Sequence, residues 1–254
     1  NKNVKVDVAV KGDCKTTLPA VTALLQQTSH KEWRDSFRPF DDEGDRVVIQ
    51  PQIHPAEGPL RMGEVVRRVS EKTNHEAILV TDVGQNQMFA ARYFKFTKPR
   101  SMVSSGGMGT MGYGLPAAIG ATFGRPDRTV CLFLGDGGLQ MTIEELGTIM
   151  EQGAPVKIIL LNNNYLGNVR QWQQMFFRHR YSFTPMMNPD YELIAQAYRI
   201  PVRTVTDRKD LDSAIDEMLA TPGAFLLQAA VLEEDNVMPM CAPGHDVDDM
   251  ILSI

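Results

Sequence analysis

The feature that most constrains this chain is a series of strand-sized apolar runs, each followed by a stretch with helical periodicity. Residues 77–83, 129–134, 156–161 and 225–231 are apolar almost throughout rather than alternating, with shorter runs at 102–104 and 201–205. Continuous apolar strands are buried on both faces, and that burial belongs to parallel sheets covered by helices. Helix patterns lie between them at 62–71, 87–93, 115–123, 142–152, 191–198 and 211–219. The helix at 142 opens with Thr142-x-x-Glu145, the spacing of a capping box. The pattern predicts an α/β fold, a doubly wound parallel sheet with helices on both faces.

The first 58 residues do not share that rhythm. Val4, Val6, Val8 and Val10 alternate as in a strand, and Leu18, Val21, Leu24 and Leu25 follow at helical spacing. Together they read as the tail of a preceding domain over 1–27. Residues 28–58 read as a linker, dense in charge up to Arg46 and punctuated by Pro39, Gly44, Pro51, Pro55 and Gly58. The α/β domain is then expected over 59–254. A chain that opens at Asn1, inside a predicted strand, is expected to be a piece of a longer protein.

Composition narrows the function classes. Lysine and arginine number 26 against 31 aspartates and glutamates, a net charge of −5. A phosphate-backbone footprint concentrates the opposite sign, so no nucleic-acid partner is expected. No apolar run approaches the ~20 residues that span a bilayer, so no membrane partner is expected either. Cys14, Cys131 and Cys241 are odd in number and far apart, which suits neither a disulfide framework nor zinc. A reduced, cytoplasmic compartment is the expectation.

In doubly wound sheets ligands bind outside the carboxyl ends of the strands. The loops there read Asp82-Val-Gly-Gln85-Asn86-Gln87, then a glycine-rich stretch from Ser104 to Gly114, then Gly135-Asp136-Gly137-Gly138, then Asn162-Asn163-Asn164-Tyr165. The stretch from Gly107 to Gly112 matches G-x-G-x-x-G, but a dinucleotide site needs a full strand before it and an acid at a strand end beyond it. Here the preceding strand is short and Asp127 sits in an Arg-Pro-Asp-Arg turn, so a packing loop is the better reading. Gly135-Asp136-Gly137-Gly138 lies between a buried strand and a helix, where bare backbone can approach an anion and Asp136 offers a hard oxygen to a divalent cation. With 24 residues between Gly137 and Asn162, one helix and one strand bring amide oxygens back to the same sheet edge. An aspartate and asparagines delivered in this way suit Mg²⁺, which completes its octahedron with phosphate and water.

Gly-Asp-Gly followed at this distance by Asn-Asn resembles the thiamin-diphosphate motif. The stretches from Ser105 to Gly120 and from Gly167 to Gln173 (Gly-Asn-Val-Arg-Gln-Trp-Gln) resemble the catalytic large subunit of acetohydroxyacid (acetolactate) synthases. The resemblance covers nearly the whole chain, as the end of that family's middle domain and its C-terminal cofactor domain. It implies thiamin diphosphate and Mg²⁺ as cofactors, and it admits FAD in the full-length protein. Asp136 and Asn163 would bind the metal by side chain and Tyr165 by its carbonyl. Gly135, Gly137 and Gly138 would hold the diphosphate from one side, Gln85 and Asn86 from the other. Gly109 and Met111 would meet the pyrimidine, with the Met111 side chain wedged between the rings. Trp172 would select the second 2-ketoacid, and Asn168 would stand beside the reacting centre.

The implied activity is decarboxylation of pyruvate and carboligation to a second 2-ketoacid, in branched-chain amino-acid biosynthesis. The implied assembly is a homodimer or higher oligomer, with a regulatory small subunit admitted. A glutamate from the family's pyrimidine-binding domain completes the proton relay, so these residues alone are expected to be inactive. The sequence departs from the family at Asn86 (commonly His), Phe89 (Trp), Gly138 (Ser) and Asn168 (Met). Those departures keep open another thiamin-diphosphate-dependent 2-ketoacid decarboxylase, a pyruvate oxidase, or a non-catalytic module of the same fold. Residues 165–183 mix aromatics with Arg170, Arg178, His179 and Arg180 and read as a mobile flap over the site.

Overall fold

The computed structural model describes residues 4–242, 244–246 and 249–253. The remaining residues of the predicted 1–27 and 59–254 segments lie outside that description. Along the chain run α1 (Cys14–Thr22), α2 (Lys31–Asp35), α3 (Arg38–Gly44), a π-helical turn (Asp45–Ile49) and α4 (Gln50–Ile53). The α/β alternation follows: α5 (Met62–Lys72), β1 (Ile78–Thr81), α6 (Gln85–Tyr93), β2 (Met102–Val103), α7 (Gly114–Gly124) and β3 (Val130–Gly135). It continues through α8 (Asp136–Met141), α9 (Glu145–Gln152), β4 (Val156–Asn162), α10 (Gly167–Phe176) and α11 (Tyr191–Ala197). It ends with β5 (Val202–Val205), α12 (Leu211–Ala220) and β6 (Phe225–Ala230), before a two-stranded hairpin, β7 (Met240–Cys241) with β8 (Met250–Ile251).

The six main strands form one parallel sheet in the order β2-β1-β3-β4-β6-β5. Its two faces are visible in single strands. On β3, Cys131 and Phe133 belong to one core, which includes Val65, Val66 and Val69 of α5, Phe89 of α6 and Ile215 of α12. Val130, Leu132 and Leu134 belong to the other, with Leu115 and Ile119 of α7, Leu146 and Ile149 of α9 and Tyr191 of α11. Successive strand residues point to opposite faces, so two apolar layers require both parities to be apolar, hence the unbroken runs. At about 1.5–3 kcal/mol for each large apolar side chain removed from water, these layers hold the strand tips rigidly in place.

Three expectations are corrected. The Thr142-x-x-Glu145 capping box is not formed: the chain turns helical earlier, at Asp136, breaks at Thr142, and restarts at Glu145. The Thr142 hydroxyl donates to the Gly112 carbonyl at 3.0 Å, tying the helix break to the glycine-rich loop. The alternating valines form no strand between residues 4 and 10, and Val4, Val8 and Val10 are exposed. The predicted linker holds α2, α3, the π-helical turn and α4, with a turn at Ser36 and Phe37. Compactness divides the chain between Glu43 and Gly44, because Val48, Gln52 and Ile53 are buried in the second unit.

Candidate functional site

The strand order places a topological switch between β1 and β3. From β1 the chain moves to β2 on one side, then returns past β1 to β3 on the other, which opens a crevice at the carboxyl ends of this pair. A cavity of about 110 Å³ lies there. Val83, Gly84, Gln85 and Asn86 line it from the loop after β1, and Gly135, Asp136, Gly137 and Gly138 from the tip of β3. Asn163, Tyr165, Leu166, Gly167, Asn168 and Val169 come from beyond β4, and Met111 closes it from the glycine-rich loop.

Asp82, at the end of β1, organises the upper wall. Its side chain is fully buried, with Oδ1 accepting from Gly112 N at 3.2 Å and Oδ2 from Gly114 N at 2.8 Å. Those bonds fix the loop just beyond Met111 and thereby hold that side chain against the cavity. Two glycines follow from the close packing: a Cβ on Gly114 would lie 2.9 Å from Asp82 N, and one on Gly138 2.9 Å from Asp82 Cγ. The sequence gives Asp82 no motif to mark it; an acid ending an apolar strand was the available signal.

The opposite wall is a network of amides. Gln85 Nε2 donates to Gln171 Oε1 at 2.9 Å and to the Asp235 carbonyl at 3.0 Å. Gln171 in turn exchanges two bonds with the Val237 backbone, its Oε1 accepting at 3.0 Å and its Nε2 donating at 3.1 Å. Asn86 Nδ2 donates to the Val83 carbonyl at 3.2 Å. Both NH₂ groups are thus spent within the protein, while Gln85 Oε1 and Asn86 Oδ1 are buried without a partner. Asn168 Oδ1 is in the same condition. Gly167 lies between Gln85 and Asn163, since a Cβ there would sit 2.9 Å from both Gln85 Cδ and Asn163 Nδ2.

The lower wall is made by two neighbouring strand tips, where Gly135 pairs with Leu161 in the β3–β4 register. Asp136 Oδ1 accepts from Gly137 N at 3.0 Å and Oδ2 from Asn188 Nδ2 at 2.8 Å. Burial pushes the Asp136 carboxyl above the usual carboxylate range, against the opposing pull of Asn188 and of backbone N–H groups. Asn163 donates to the Glu233 carbonyl at 3.3 Å and accepts from Tyr165 N at 3.3 Å. Asn164 between them takes a left-handed φ of 57°, a conformation asparagine tolerates better than most residues.

Comparison with known families places the chain that carries this cavity. Residues 82–229 match the family described as thiamine pyrophosphate enzyme, C-terminal TPP binding domain. The chain belongs to the thiamine pyrophosphate enzymes. Among curated relatives it is 38% identical over 257 residues to the acetolactate synthase isozyme 2 large subunit of Escherichia coli (strain K12), covering 99% of this chain and 44% of that one. It is 35% identical over 252 residues to the mitochondrial acetolactate synthase catalytic subunit of Saccharomyces cerevisiae, covering 99% and 37%. The chain therefore spans less than half the length of these relatives. Among solved structures, a 4-hydroxybenzoylformate decarboxylase of Rhodococcus jostii RHA1 superposes with a TM-score of 0.65 at 23% identity, covering 71% of this chain and 34% of that one. A benzoylformate decarboxylase of Polynucleobacter necessarius gives 0.64 at 22%, covering 70% and 34%. These two likenesses establish the shared fold.

The cavity fits the cofactor of a thiamine pyrophosphate enzyme. A Cβ on Gly137 would lie 2.8 Å from Leu166 and 3.2 Å from Met186 Sδ, so only glycine lets these side chains close on the cavity-lining turn. The first N–H groups of α6 and α10 have no intrahelical acceptor and can receive phosphate oxygens. The orphan oxygens of Gln85 and Asn86 match donors such as metal-bound water rather than phosphate, which changes the expected role of their side chains. Among the described residues no cluster of three or more His, Cys, Asp or Glu could hold a metal. A cation here would rely on one carboxylate, an amide and a carbonyl, the sparse protein set that suits a Mg²⁺ sharing its shell with phosphate.

Two predicted residues stand apart. Gly109 is exposed, at a φ of 61°, and a Cβ on it would meet only Val83 Cγ1, at 3.9 Å. Trp172 lines a shallower neighbouring pocket with Val169, Gln173, Phe177 and Arg180, and packs edge-on against Phe176. Val169 lines both recesses. In the predicted flap, Arg170 is held 4.2 Å from the Tyr165 ring centroid and 3.8 Å from that of Tyr181, and it pairs with Glu234. Asp127 is paired with Arg125 in an exposed turn ahead of β3, at the opposite end of the strand from the cavity.

Proposed function

We propose that this chain supplies the diphosphate- and metal-holding half of an acetolactate-synthase-type active site. The observation that carries the reading is convergence. Ten of the residues the sequence resemblance nominates, from Gln85 to Asn168, line one cavity at the switch point, and the curated relatives named above are acetolactate synthases.

In this reading Asp136 and Asn163 hold Mg²⁺ by side chain and Tyr165 by its carbonyl. Gly135, Gly137 and Gly138 and the first backbone N–H groups of α6, at Gln85 and Asn86, hold the diphosphate. Gly109 and Met111 meet the pyrimidine, and Met111, Leu166 and Val169 exclude water around the reacting carbons. Bound thiamin diphosphate would supply the electron sink through which a 2-ketoacid loses CO₂ and its two-carbon remainder joins a second 2-ketoacid. Asn168 carries an unpaired amide oxygen at the cavity wall, which would face that second substrate, with Trp172 beyond it on the same face of α10.

Activity belongs to the full-length protein in this account, as a homodimer or larger assembly in a reducing compartment, with FAD and a regulatory small subunit as further components. The 254 residues alone are expected not to turn over pyruvate. The test is a product assay on the full-length protein with pyruvate, thiamin diphosphate and Mg²⁺. Acetolactate is the expected product. Acetaldehyde alone would identify a decarboxylase, and FAD-dependent acetate or acetyl phosphate an oxidase.

A further inference from the structure

We infer that Asn188, which belongs to none of the motifs above, is a positioning residue that locks the two metal-bearing strand tips into one geometry. The inference rests on reading the cavity as a metal–diphosphate site. Its observation is a convergence of three oxygens on one nitrogen. Asn188 Nδ2 donates to Asp136 Oδ2 at 2.8 Å, to Asn162 Oδ1 at 3.1 Å and to Asn164 Oδ1 at 3.1 Å. The first acceptor belongs to the tip of β3, the other two to the tip of β4.

The orientation of that amide is fixed by its other end. Asn188 Oδ1 lies 2.9 Å from Gln140 Nε2 and 3.1 Å from the Tyr191 hydroxyl, both able to donate. Rotating the amide would set its NH₂ against donors and its oxygen against three acceptors, so only one orientation satisfies the network. Tyr191 is itself buried, and its hydroxyl is also 3.2 Å from the Asp136 carbonyl, so the anchor is rigid.

The consequence reaches the ligands through Asn164. That residue has a φ of 57° and separates Asn163 from Tyr165, the proposed side-chain and carbonyl donors. Holding the Asn164 side chain sets the direction of the backbone on both sides of it. Asp136 Oδ2 is held by the same nitrogen. One amide thus correlates the carboxylate of one tip with the turn of the other, without occupying the remaining lone pairs that a cation needs. Outer-shell partners of this kind typically change metal affinity by about 10- to 100-fold when removed.

The experiment is a Mn²⁺ titration of the full-length protein with saturating thiamin diphosphate, followed by electron paramagnetic resonance, on the parent, Asn188→Ala and Tyr191→Phe. In the parent Mn²⁺ binds. In Asn188→Ala its Kd rises by about 10- to 100-fold at unchanged stoichiometry, and the line shape of bound Mn²⁺ broadens as the ligand set loses symmetry. In Tyr191→Phe, which removes one of the two donors to Asn188 Oδ1 together with the hydroxyl contact to the Asp136 carbonyl, Kd rises by roughly 3- to 10-fold. Parent-like Kd and line shape in Asn188→Ala overturn the inference and leave the functional reading intact. Lowered stoichiometry with a parent-like Kd assigns Asn188 to folding alone and overturns it equally. A parent that binds no Mn²⁺ removes both the inference and the reading. Should Asn188→Ala not fold, Tyr191→Phe decides, and a parent-like Kd there overturns the inference.

Discussion

Gly138 packs so closely on Asp82 that a Cβ on the glycine would lie 2.9 Å from Asp82 Cγ, and nearer still to Oδ1. The same carboxylate holds Gly112 N and Gly114 N. A side chain at 138 therefore has to displace the group that secures the loop behind Met111. Gly138→Ser, which installs the hydroxyl common in the resembled family, is expected to lose about 1–3 kcal/mol of stability by overpacking and to bind thiamin diphosphate more weakly. In an Asp82→Gly background, which already lacks the carboxylate and its two bonds, Gly138→Ser should cost less than it does in the parent. A double-mutant cycle by urea denaturation measures the coupling, and strictly additive effects would refute the steric argument.

Gln171 is expected to matter through Gln85 rather than by touching a ligand. It accepts the Gln85 NH₂ and exchanges two bonds with the Val237 backbone, all inside the protein. Gln171→Leu leaves those groups unpaired and should cost about 2–4 kcal/mol in urea unfolding. Gln85 would then be free to turn, and calorimetry should register weaker thiamin diphosphate binding. An unchanged midpoint would show that water replaces the amide without penalty.

Asp235 should give stability a recognisable pH dependence. It is fully buried, with Oδ1 accepting from Gln52 Nε2 at 2.7 Å and Arg61 Nη1 at 3.0 Å, and Oδ2 from Met62 N at 3.1 Å. Burial pushes its carboxyl above the ordinary range, and these partners offset that push only in part. A group that holds its proton more tightly when folded stabilises the fold fully below its unfolded value, near pH 4, and less as pH rises through the raised value. Asp235→Asn leaves one of the three donors without an acceptor and should cost about 1–2 kcal/mol at pH 4. The deficit should narrow toward pH 7, as the parent loses stability that the variant never had. A deficit that widens with pH would mean that Arg61 dominates burial.

How much of this was legible in the sequence depends on the range of the interaction concerned. The strands could be read because burial on both sheet faces makes β3 and β4 apolar almost throughout, Lys157 and the terminal Asn162 being the polar residues of β4, a local and redundant signal. The site loops were legible for the related reason that bare glycine and hard oxygens at strand tips have few other uses. The Thr142 capping box misled because the helix begins elsewhere: Asp136–Met141 is already helical and the next helix starts at Glu145 with Glu144 before it, so Thr142 falls in the break, where its hydroxyl donates to the Gly112 carbonyl 30 residues away. Within 28–58 the helices went unread because charge and proline do not forbid them; in the second half Val48 and Ile53 are buried in a core, while α2 and α3 bury no residue. The roles of Asp82 and Gln171, though both lie in stretches the sequence marks, and the whole of Asn188 were hidden for a common cause. Each acts through partners distant in the chain, and Asn188, with no motif around it, reads as surface until the fold brings its acceptors together.

The central claim is that Asp136 and Asn163, on adjacent strand tips, jointly hold a divalent ion that anchors a diphosphate. Titration calorimetry of thiamin diphosphate into the full-length protein, with Mg²⁺ or with chelator, on the parent and on Asp136→Ala, tests it most directly. The account predicts binding in the parent only when Mg²⁺ is present, and a loss of at least about 100-fold in Asp136→Ala, as for removal of the one charged ligand of a sparse Mg²⁺ site. Binding that is equally tight with chelator, or in Asp136→Ala, would contradict it.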